Sequence, residues 1–326
     1  MVRVWLRPVA LIAFVCVLPF VQGANAQAYP SAPVRIVVPY PPGGGTDILS
    51  RSMAPRLSEA WSQPVLVDNR GGANGNIGAA FVAKAPADGQ TVLVTPIGFV
   101  VNPSLYKDLP FDALRDFTPV SQLAANPSVL VVHPSLPPRT VKELIAFLKA
   151  RPDEINYASS GNGSTPHLAT ELFKLMTGTR MTHVPYKGGG PATIDVVAGH
   201  VPVYIMSPAQ AAPHIKTGRL RALGVTGEKR DAAFPDLPTI AEAGVPGYSM
   251  LNWYGMLVPA GTPRATITKL QADTARILKL PEIRERLAAE GATVVGSTPE
   301  QFGAFLKEEI AKAARIVKAS GMTASN

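Results

Sequence analysis

One order of elements repeats along this chain and limits what it can fold into: a short β-branched strand, a loop rich in glycine or proline, then a helix. The first unit has a strand at 34–38, a loop at 39–45 and a helix from Thr46, with an apolar residue at every fourth position from Leu49 to Trp61. Further strands are predicted at 65–67, 91–94, 129–132, 156–158, 183–186, 201–206, 220–225 and 252–258. Further helices are predicted to begin near Asn76, Thr140, Thr165, Pro191, Thr262 and Thr298. Strands that alternate with helices indicate an α/β fold with largely parallel sheets.

The N-terminus has the three regions of a secretory signal peptide in order. Arg3 and Arg7 form its basic start, residues 9–18 are an unbroken apolar run, and residues 24–26 are an Ala-x-Ala cleavage signature. The run is far shorter than the roughly 20 residues that a membrane span needs. We therefore predict that residues 1–26 are a signal peptide and that the mature chain acts in a bacterial periplasm. A buried N-terminal helix is the alternative.

Composition excludes several classes of protein. The 326 residues suggest about two domains, at roughly 150 residues per domain. The single cysteine, Cys16, lies in the predicted leader, and one cysteine excludes an intramolecular disulfide and a cysteine metal site. None of the five histidines has the spacing of a zinc motif, and we expect no metal and no cofactor. The formal charge of +8 is spread along the chain, so we expect no nucleic-acid partner.

Two glycine-rich loops precede predicted helices and have the composition of an anion site. The loop at 39–47 contains three glycines that let backbone N–H groups approach a ligand, and helix N-termini favour negative charge. A plain capping turn, with Asp47 pairing first-turn donors, explains it equally well. The loop at 69–78 has the same design, and it fits a dinucleotide-binding motif only with forced spacing. On neighbouring strands, the two loops could hold one carboxylate between them.

Two further loops of this kind lie in the second half of the chain. In the loop at 159–167, Ser164 and Thr165 could cap a helix or bind a carboxylate, and His167 is either a ligand contact or a packed histidine. In the loop at 185–191, Lys187 could neutralise an anion. Asp195, one turn into the following helix, could accept hydrogen bonds from a ligand or serve only the helix dipole.

A catalytic interpretation is available and poorly supported. Ser164, His167 and Asp195 could form a nucleophilic triad, but no Gly-x-Ser-x-Gly elbow surrounds the serine. Thr165 also precedes a proline, which suits a helix cap better than a strained elbow.

Taken together in this order, these loops resemble the substrate-binding proteins of tripartite tricarboxylate transporters, also called Bug-type extracytoplasmic receptors. Each motif alone is weak, but the ordered set spans nearly the whole mature chain. The segments that carry the resemblance are 29–38, 41–47, 69–78, 87–91, 157–167, 183–188, Pro191, Asp195, Gly199, 237–239 and 242–244.

The resemblance implies a two-domain periplasmic binding protein of the type II-like, Venus flytrap kind, with each domain a mostly parallel sheet flanked by helices. The expected first domain comprises 27–128 and 250–326, and the expected second domain comprises 129–249. In that family the loops that match 42–47 and 72–76 grip a ligand carboxylate, partly through ordered water, and the match to Thr95 and Pro96 adds to this wall. The matches to Ser164, Thr165 and Asp195 contact the ligand from the second domain.

We therefore expect a solute receptor that has no catalytic residue, is a monomer and delivers a small organic carboxylate to integral-membrane transporter subunits. The segment 95–99 is apolar, so the acid could be aromatic as well as a dicarboxylate. A secreted serine hydrolase using Ser164 and His167, and a sensory binding protein that feeds a signalling partner, are the alternatives. The expected ligand contacts are Pro42, Gly43, Gly44, Thr46, Asp47, Ala73, Gly75, Asn76, Thr95, Pro96, Ser164, Thr165, His167, Lys187, Asp195 and Ser207.

Overall fold

The computed structural model describes residues 1–2, 29–289 and 291–323, so almost all of the predicted signal peptide lies outside the described residues. None of the helices in these ranges is long and apolar enough to cross a membrane. The described strands are, in chain order, β1 (Val34–Val38), β2 (Val65–Asn69), β3 (Thr91–Pro96), β4 (Phe117–Pro127), β5 (Val129–Val132), β6 (Asn156–Ser159), β7 (Thr182–Pro185), β8 (Val203–Met206), β9 (Arg221–Val225), β10 (Leu251–Pro259) and β11 (Thr293–Val294).

The helices alternate with these strands over most of the chain. A short 3-10 turn, Ala73–Gly75, precedes the second of them. The described helices are α1 (Gly45–Trp61), α2 (Asn76–Ala83), α3 (Gly98–Leu105), α4 (Val141–Ala150), α5 (Thr165–Thr177), α6 (Gly189–Val197), α7 (Pro208–Lys216), α8 (Arg264–Leu278), α9 (Pro281–Ala289) and α10 (Pro299–Ser320).

The strands form two separate sheets, which divide the molecule into two lobes. A six-stranded sheet in the order β11-β4-β10-β3-β1-β2, with helices α1–α3 and α8–α10, is the first lobe. A five-stranded sheet in the order β7-β6-β8-β5-β9, with helices α4–α7, is the second lobe. The chain passes from the first sheet to the second between Pro127 and Val129, and it returns before Leu251. The fold class is therefore the expected two-domain α/β architecture.

Both sheets are mixed, which corrects the expectation of mostly parallel sheets. β1 pairs in parallel with β2 and β3, and β6 pairs in parallel with β7 and β8. The strands next to the crossings run the other way: β10 is antiparallel to β3 and β4, and β5 is antiparallel to β8 and β9. Parallel order follows from strand–helix–strand units. The crossing strands are not part of such units, so their direction is set by the route between the lobes.

The core of the first lobe confirms the helical periodicity read from the sequence. Leu49, Met53, Leu57 and Trp61 are all buried along α1. The indole nitrogen of Trp61 donates to Asp273 Oδ2 on α8 at 2.7 Å, so the end of this apolar stripe is also fixed by a polar contact. The helix runs through Pro55 as one element rather than restarting after it.

The predicted helix starts are confirmed to within a few residues, and some N-cap residues differ from those predicted. α5 and α8 are capped by Ser164 and Pro263, each next to the predicted threonine or proline. The capping box at Thr140 is only half formed: Thr140 Oγ1 accepts from the N–H of Glu143, but the Glu143 carboxylate accepts from the N–H of Arg139 rather than from that of Thr140. A complete box is present at Thr298, where α10 begins.

Candidate functional site

A cavity of about 520 Å³ lies between the two lobes, with walls from both. The residues of the first lobe in its lining are Tyr40, Gly44, Gly45, Asn74, Pro96, Ile97, Gly98, Asn126 and Asn252. The crossing and the second lobe contribute Ser128, Ser160, Gly163, Ser164, Thr165, Pro166, Gly188, Gly189, Tyr204, Ser207 and Gln210. None of these lining residues is a lysine, arginine, histidine, aspartate or glutamate, so within the described chain the wall carries no ionised side chain.

Five helices, two from the first lobe and three from the second, begin at this cavity. The N-cap residues of α1, α3, α5, α6 and α7 all belong to the lining; they are Gly44, Ile97, Ser164, Gly188 and Ser207. In four of the five, the N-cap side chain makes no capping bond, which leaves first-turn N–H groups for another acceptor. Helix N-termini carry partial positive charge, so their convergence makes a site for an anion.

Asp47 shapes the first glycine loop from behind rather than facing the cavity. Its buried carboxylate accepts from the N–H of Gly43 at 2.9 Å, from Arg51 Nε at 2.9 Å and from Asn69 Nδ2 at 3.0 Å. Burial alone would raise the pKa of this carboxyl, but the bonds from Gly43, Arg51 and Asn69 outweigh it and hold the pKa below its usual value. Asp47 therefore stays ionised and fixes the entry to α1.

The second glycine loop is held by Asn102, a residue that no sequence motif singled out. Asn102 Nδ2 donates to Asn76 Oδ1 at 2.6 Å and to the carbonyl of Asn74 at 2.9 Å, and its Oδ1 accepts from Asn74 Nδ2 at 2.8 Å. The Tyr40 hydroxyl adds a bond to the Asn74 carbonyl at 3.0 Å. These bonds support the left-handed backbone of Ala73 and Asn74. Asn74 reaches the cavity lining, whereas Asn76 is used inside the loop.

Two stacked histidines support the third loop beneath its cavity face. The rings of His167 and His183 are 3.8 Å apart and nearly parallel, and His167 Nδ1 accepts from the N–H of Gly163 at 3.2 Å. Burial, followed by the charges of His183 and Lys174, lowers the pKa of His167 to about 3. Burial and Lys174 lower the pKa of His183 to about 4. Both rings are therefore neutral at ordinary pH.

The geometry does not support the serine hydrolase alternative. Ser164 Oγ donates to the carbonyl of Gly161 at 2.6 Å, and no bond joins it to His167 among the described contacts. His167 Nδ1 is already occupied by a backbone N–H, so the ring cannot act as the general base for Ser164 through that atom.

Asp195 has partners outside the cavity lining. Its Oδ2 accepts from the Tyr186 hydroxyl at 2.7 Å, and its Oδ1 lies 3.4 Å from His200 Nδ1. The bond from Tyr186 and then that from His200 hold the pKa of Asp195 below its usual value. Lys187 is exposed and also lies outside the lining.

The expected ligand contacts therefore divide into two groups, and ligand contact stays a prediction for all of them. Five line the cavity: Gly44, Pro96, Ser164, Thr165 and Ser207. The others support the loops, pair among themselves or lie outside the lining; they are Pro42, Gly43, Thr46, Asp47, Ala73, Gly75, Asn76, Thr95, His167, Lys187 and Asp195. Phe99 of the apolar segment packs inside the first lobe against Phe111 and Phe117, so its ring is not part of the cavity wall.

Sequence reasoning missed the part of the cavity beside the crossings between the lobes. Asn126 and Ser128 flank the first crossing, Asn252 follows the second, and Tyr204 is on β8. Asn252 Oδ1 accepts from Thr165 Oγ1 of α5, so this hydrogen bond joins the lobes at the cavity. The sequence signal for Asn126 and Asn252 is a polar residue near the end of an apolar strand. This signal has no distinctive spacing, so it does not mark a binding site.

Two lobes with separate sheets, two crossings between them and an interlobe cavity walled by helix N-termini define a two-domain solute-binding protein. The family model described as tripartite tricarboxylate transporter family receptor matches residues 49–322. The chain belongs to this family.

Curated relatives and solved structures agree with this assignment. Protein BugT of Bordetella pertussis is 38% identical over 310 residues, 94% of this chain and 95% of BugT. R. palustris Rpa4515, solved with adipate, is 40% identical with a TM-score of 0.77. The match covers 90% of this chain and 99% of the Rpa4515 chain. MatC from Rhodopseudomonas palustris, solved with bound malate, is 31% identical with a TM-score of 0.74. The match covers 89% of this chain and 100% of the MatC chain. The family is one of periplasmic receptors and not of enzymes.

Proposed function

We propose that this protein captures a small organic carboxylate between its lobes and delivers it to a membrane transporter of the tripartite tricarboxylate kind. The observation that carries the proposal is the convergence of five helix N-termini on a cavity whose described lining has no ionised side chain. An acidic ligand is favoured by the helix dipoles, each contributing about 0.3–1 kcal/mol at exposed sites and more when partly buried.

The bound ligands of two relatives support the same chemistry. Rpa4515 was solved with adipate and MatC with malate, and both ligands are carboxylates. We infer that this protein takes a ligand of that class, with Gly44, Pro96, Ser164, Thr165 and Ser207 among its contacts. The same proposal has three further parts. Residues 1–26 are a signal peptide that is removed on export, the protein is a monomer, and its first domain comprises 27–128 and 250–326.

Thermal unfolding with a ligand panel tests the carboxylate proposal. A ligand at 100 times its dissociation constant stabilises the native state by about 2.7 kcal/mol. At roughly 2–4 °C per kcal/mol, this raises the melting temperature by several degrees. We expect a shift with one or more aliphatic acids and none with their neutral amides, which have the same shape without the charge.

The amide of each acid is the matched control, because it lacks the negative charge that helix N-termini favour and has an NH2 donor in place of one acceptor oxygen. Equal shifts with acid and amide would contradict an anion site. Recovery of chemically unchanged ligand from the complex is expected of a receptor, and turnover would contradict it.

A further inference from the structure

The two lobes lie against each other on both faces of their sheets. On one face, helices α2, α3 and α10 of the first lobe and α4 and α5 of the second lobe pack into one apolar core. On the opposite face, α1, α8 and α9 pack in a core of the first lobe, and α6 and α7 pack in a core of the second. Contacts between the lobes therefore belong to one face or to the other, and a glycine lies at a contact on each face.

Gly163, in the loop at 159–167, lies against α3 on the first of these faces. A Cβ at Gly163 would lie 2.8 Å from Leu105 Cδ1 and 3.3 Å from Asn74 Nδ2, both of the first lobe. Carbon atoms in contact are usually about 3.5–4.0 Å apart, so a methyl group at Gly163 would crowd the first lobe. The loop is held in place there, because the N–H of Gly163 donates to His167 Nδ1.

Gly291, between α9 and β11, lies against the second lobe on the opposite face. A Cβ at Gly291 would lie 3.0 Å from Pro208 Cβ and 3.1 Å from Pro208 Cγ. A proline ring cannot rotate away from such a contact, because it is closed onto the backbone. Pro208 is the first residue of α7, whose N-cap Ser207 lines the cavity. This contact therefore sets the distance between the first lobe and one of the helix N-termini at the cavity.

Turn geometry alone does not account for these two contacts. Gly163 and Gly291 have φ values of +73° and +71°, a backbone conformation that favours glycine. Gly218, just after the C-terminus of α7, also has a φ of +71°, and a Cβ there would have no described atom within 4 Å. A facing residue of the other lobe is what distinguishes Gly163 and Gly291 from Gly218.

We propose that Gly163 and Gly291 are positioning residues, which set how near the two lobes come when they hold a ligand. The inference rests on the proposed function and adds to it two residues that act through the opposite lobe. A helix N-terminus attracts an anion only over about the length of its first turn. A methyl group at either glycine would hold the lobes apart and weaken this attraction.

Isothermal titration of Gly163→Ala and Gly291→Ala tests the proposal, with malate, succinate, glutarate and adipate as the probes. We expect each variant to bind the acid that the wild type prefers about tenfold more weakly. Gly218→Ala is the matched control, because alanine is equally strained at its φ but meets no residue of the other lobe. It is expected to lower the ligand-free melting temperature by a similar amount and to keep wild-type affinity.

A second substitution separates crowding between the lobes from crowding of the ligand. Gly163 lines the cavity, so contact of its added methyl group with the ligand is the competing explanation. Leu105 lies outside the lining, and Leu105→Ala removes the atom nearest to the added Cβ. We expect the double variant with Leu105→Ala and Gly163→Ala to recover most of the lost affinity, and Leu105→Ala alone to bind as the wild type does.

A disulfide across the contact at Gly291 tests that contact without a ligand. The mature chain is predicted to contain no cysteine, so Pro208→Cys with Gly291→Cys introduces a single pair. Their Cβ positions are 3.0 Å apart, near the roughly 3.5–4.5 Å of a disulfide. We expect the bond to form on mild oxidation, and to form faster with a bound acid. Pro208→Cys with Gly218→Cys is the control, since these positions lie at opposite ends of α7, on the order of 12 Å apart.

The outcomes separate this inference from the proposed function. Weaker binding by both alanine variants, with rescue by Leu105→Ala and formation of the disulfide, supports the positioning role. Wild-type affinity in either alanine variant, or a loss in Gly163→Ala that Leu105→Ala does not rescue, overturns the role of that glycine. Absence of the disulfide overturns the contact at Gly291, and the carboxylate receptor stands in each of these cases. Absence of binding by all four acids overturns the proposed function and this inference with it.

Discussion

The imidazole rings of His167 and His183 stack 3.8 Å apart beneath the loop that lines the second-lobe side of the cavity. His183 Nε2 is 2.6 Å from Ser159 Oγ, and His167 Nδ1 accepts from Gly163, so both rings hold the same loop. The Tyr157 ring lies 5.0 Å from that of His183 and nearly parallel to it, and its hydroxyl donates to Glu171. The two neutral histidines therefore form part of the support of a loop that lines the cavity.

This stack predicts a loss of stability in mild acid. The pKa values of His167 and His183 are about 3 and about 4 in the folded protein, below the usual 6.5. The unfolded chain then binds more protons as pH falls below 6.5, so unfolding becomes easier. The loss is at most about 1.4 kcal/mol per histidine per pH unit, and it ends near the folded pKa values.

Urea unfolding at pH 7 and pH 5 measures this effect. His183→Gln removes one titrating group while keeping a polar side chain beside Ser159, and Lys174, paired with Glu171, remains in place. We expect the variant to lose less stability between these pH values than the wild type. A pH dependence identical in both proteins would contradict the assignment. His133, which is half-buried on the loop after β5 and outside this stack, provides the control in His133→Gln.

Asp47→Asn is expected to weaken ligand binding although Asp47 does not line the cavity. The change removes a buried charge that accepts from Gly43, Arg51 and Asn69, so the first glycine loop loses its support. We expect a loss of about 1–3 kcal/mol in unfolding free energy and weaker carboxylate affinity. Urea unfolding and titration calorimetry measure the two effects.

The control for Asp47→Asn is an exposed ion pair on the same helix. Arg56 and Glu59 are both well exposed on α1, so Glu59→Gln should change stability by less than about 1 kcal/mol and leave affinity unchanged. If both variants had the same small effect, the buried network would have no special part in shaping the loop.

Thr165→Val is expected to speed ligand release. Thr165 Oγ1 donates to Asn252 Oδ1 at 3.1 Å, which links α5 of the second lobe to β10 of the first. Valine has the same shape without the donor, so the arrangement in which this bond joins the lobes loses about 0.5–1.5 kcal/mol. Stopped-flow dissociation should then be about two- to tenfold faster. Thr170→Val loses a bond only within α5, to the Pro166 carbonyl, and should leave the dissociation rate unchanged.

Adjacent glycines in the first loop should respond oppositely to alanine. A Cβ on Gly45 would lie 2.2 Å from the Tyr254 hydroxyl and 3.0 Å from Tyr254 Cζ, so the ring or the loop has to shift. A Cβ on Gly44 meets nothing within 4 Å. We expect Gly45→Ala to lower the melting temperature by several degrees and Gly44→Ala to leave it nearly unchanged, as measured by calorimetry. Similar values for the two variants would contradict the close approach of Tyr254.

The sequence predicted those parts of the fold that rest on local signals. The apolar stripe of α1 and the cap of α10 follow from spacing and from Thr298, and both are present. β4 was not predicted, because its interior includes Pro119, Ser121 and Gln122 and its burial comes from pairing with β10 across a large distance in the chain. Local pattern carries no information about such a partner.

In the candidate site too, the residues that were predicted are those with local sequence signals. Glycine and helix-start signals pointed to Gly44 and Ser164, which line the cavity. The roles of Asp47 and His167 were left open between support and ligand contact, and their hydrogen bonds in the structure are those of support. Asn126 and Asn252, 126 residues apart, come together only when the chain crosses twice between the lobes.

The absence of ionised side chains from the described cavity wall has a consequence for how the ligand leaves. A wall of helix N-termini and neutral side chains keeps the same charge through the whole physiological pH range, so no proton taken up by the wall can expel an anion. The attraction between the helix N-termini and an anion comes from both lobes, and it weakens as the lobes move apart. Release of the ligand therefore depends on separation of the two lobes and not on a change of pH.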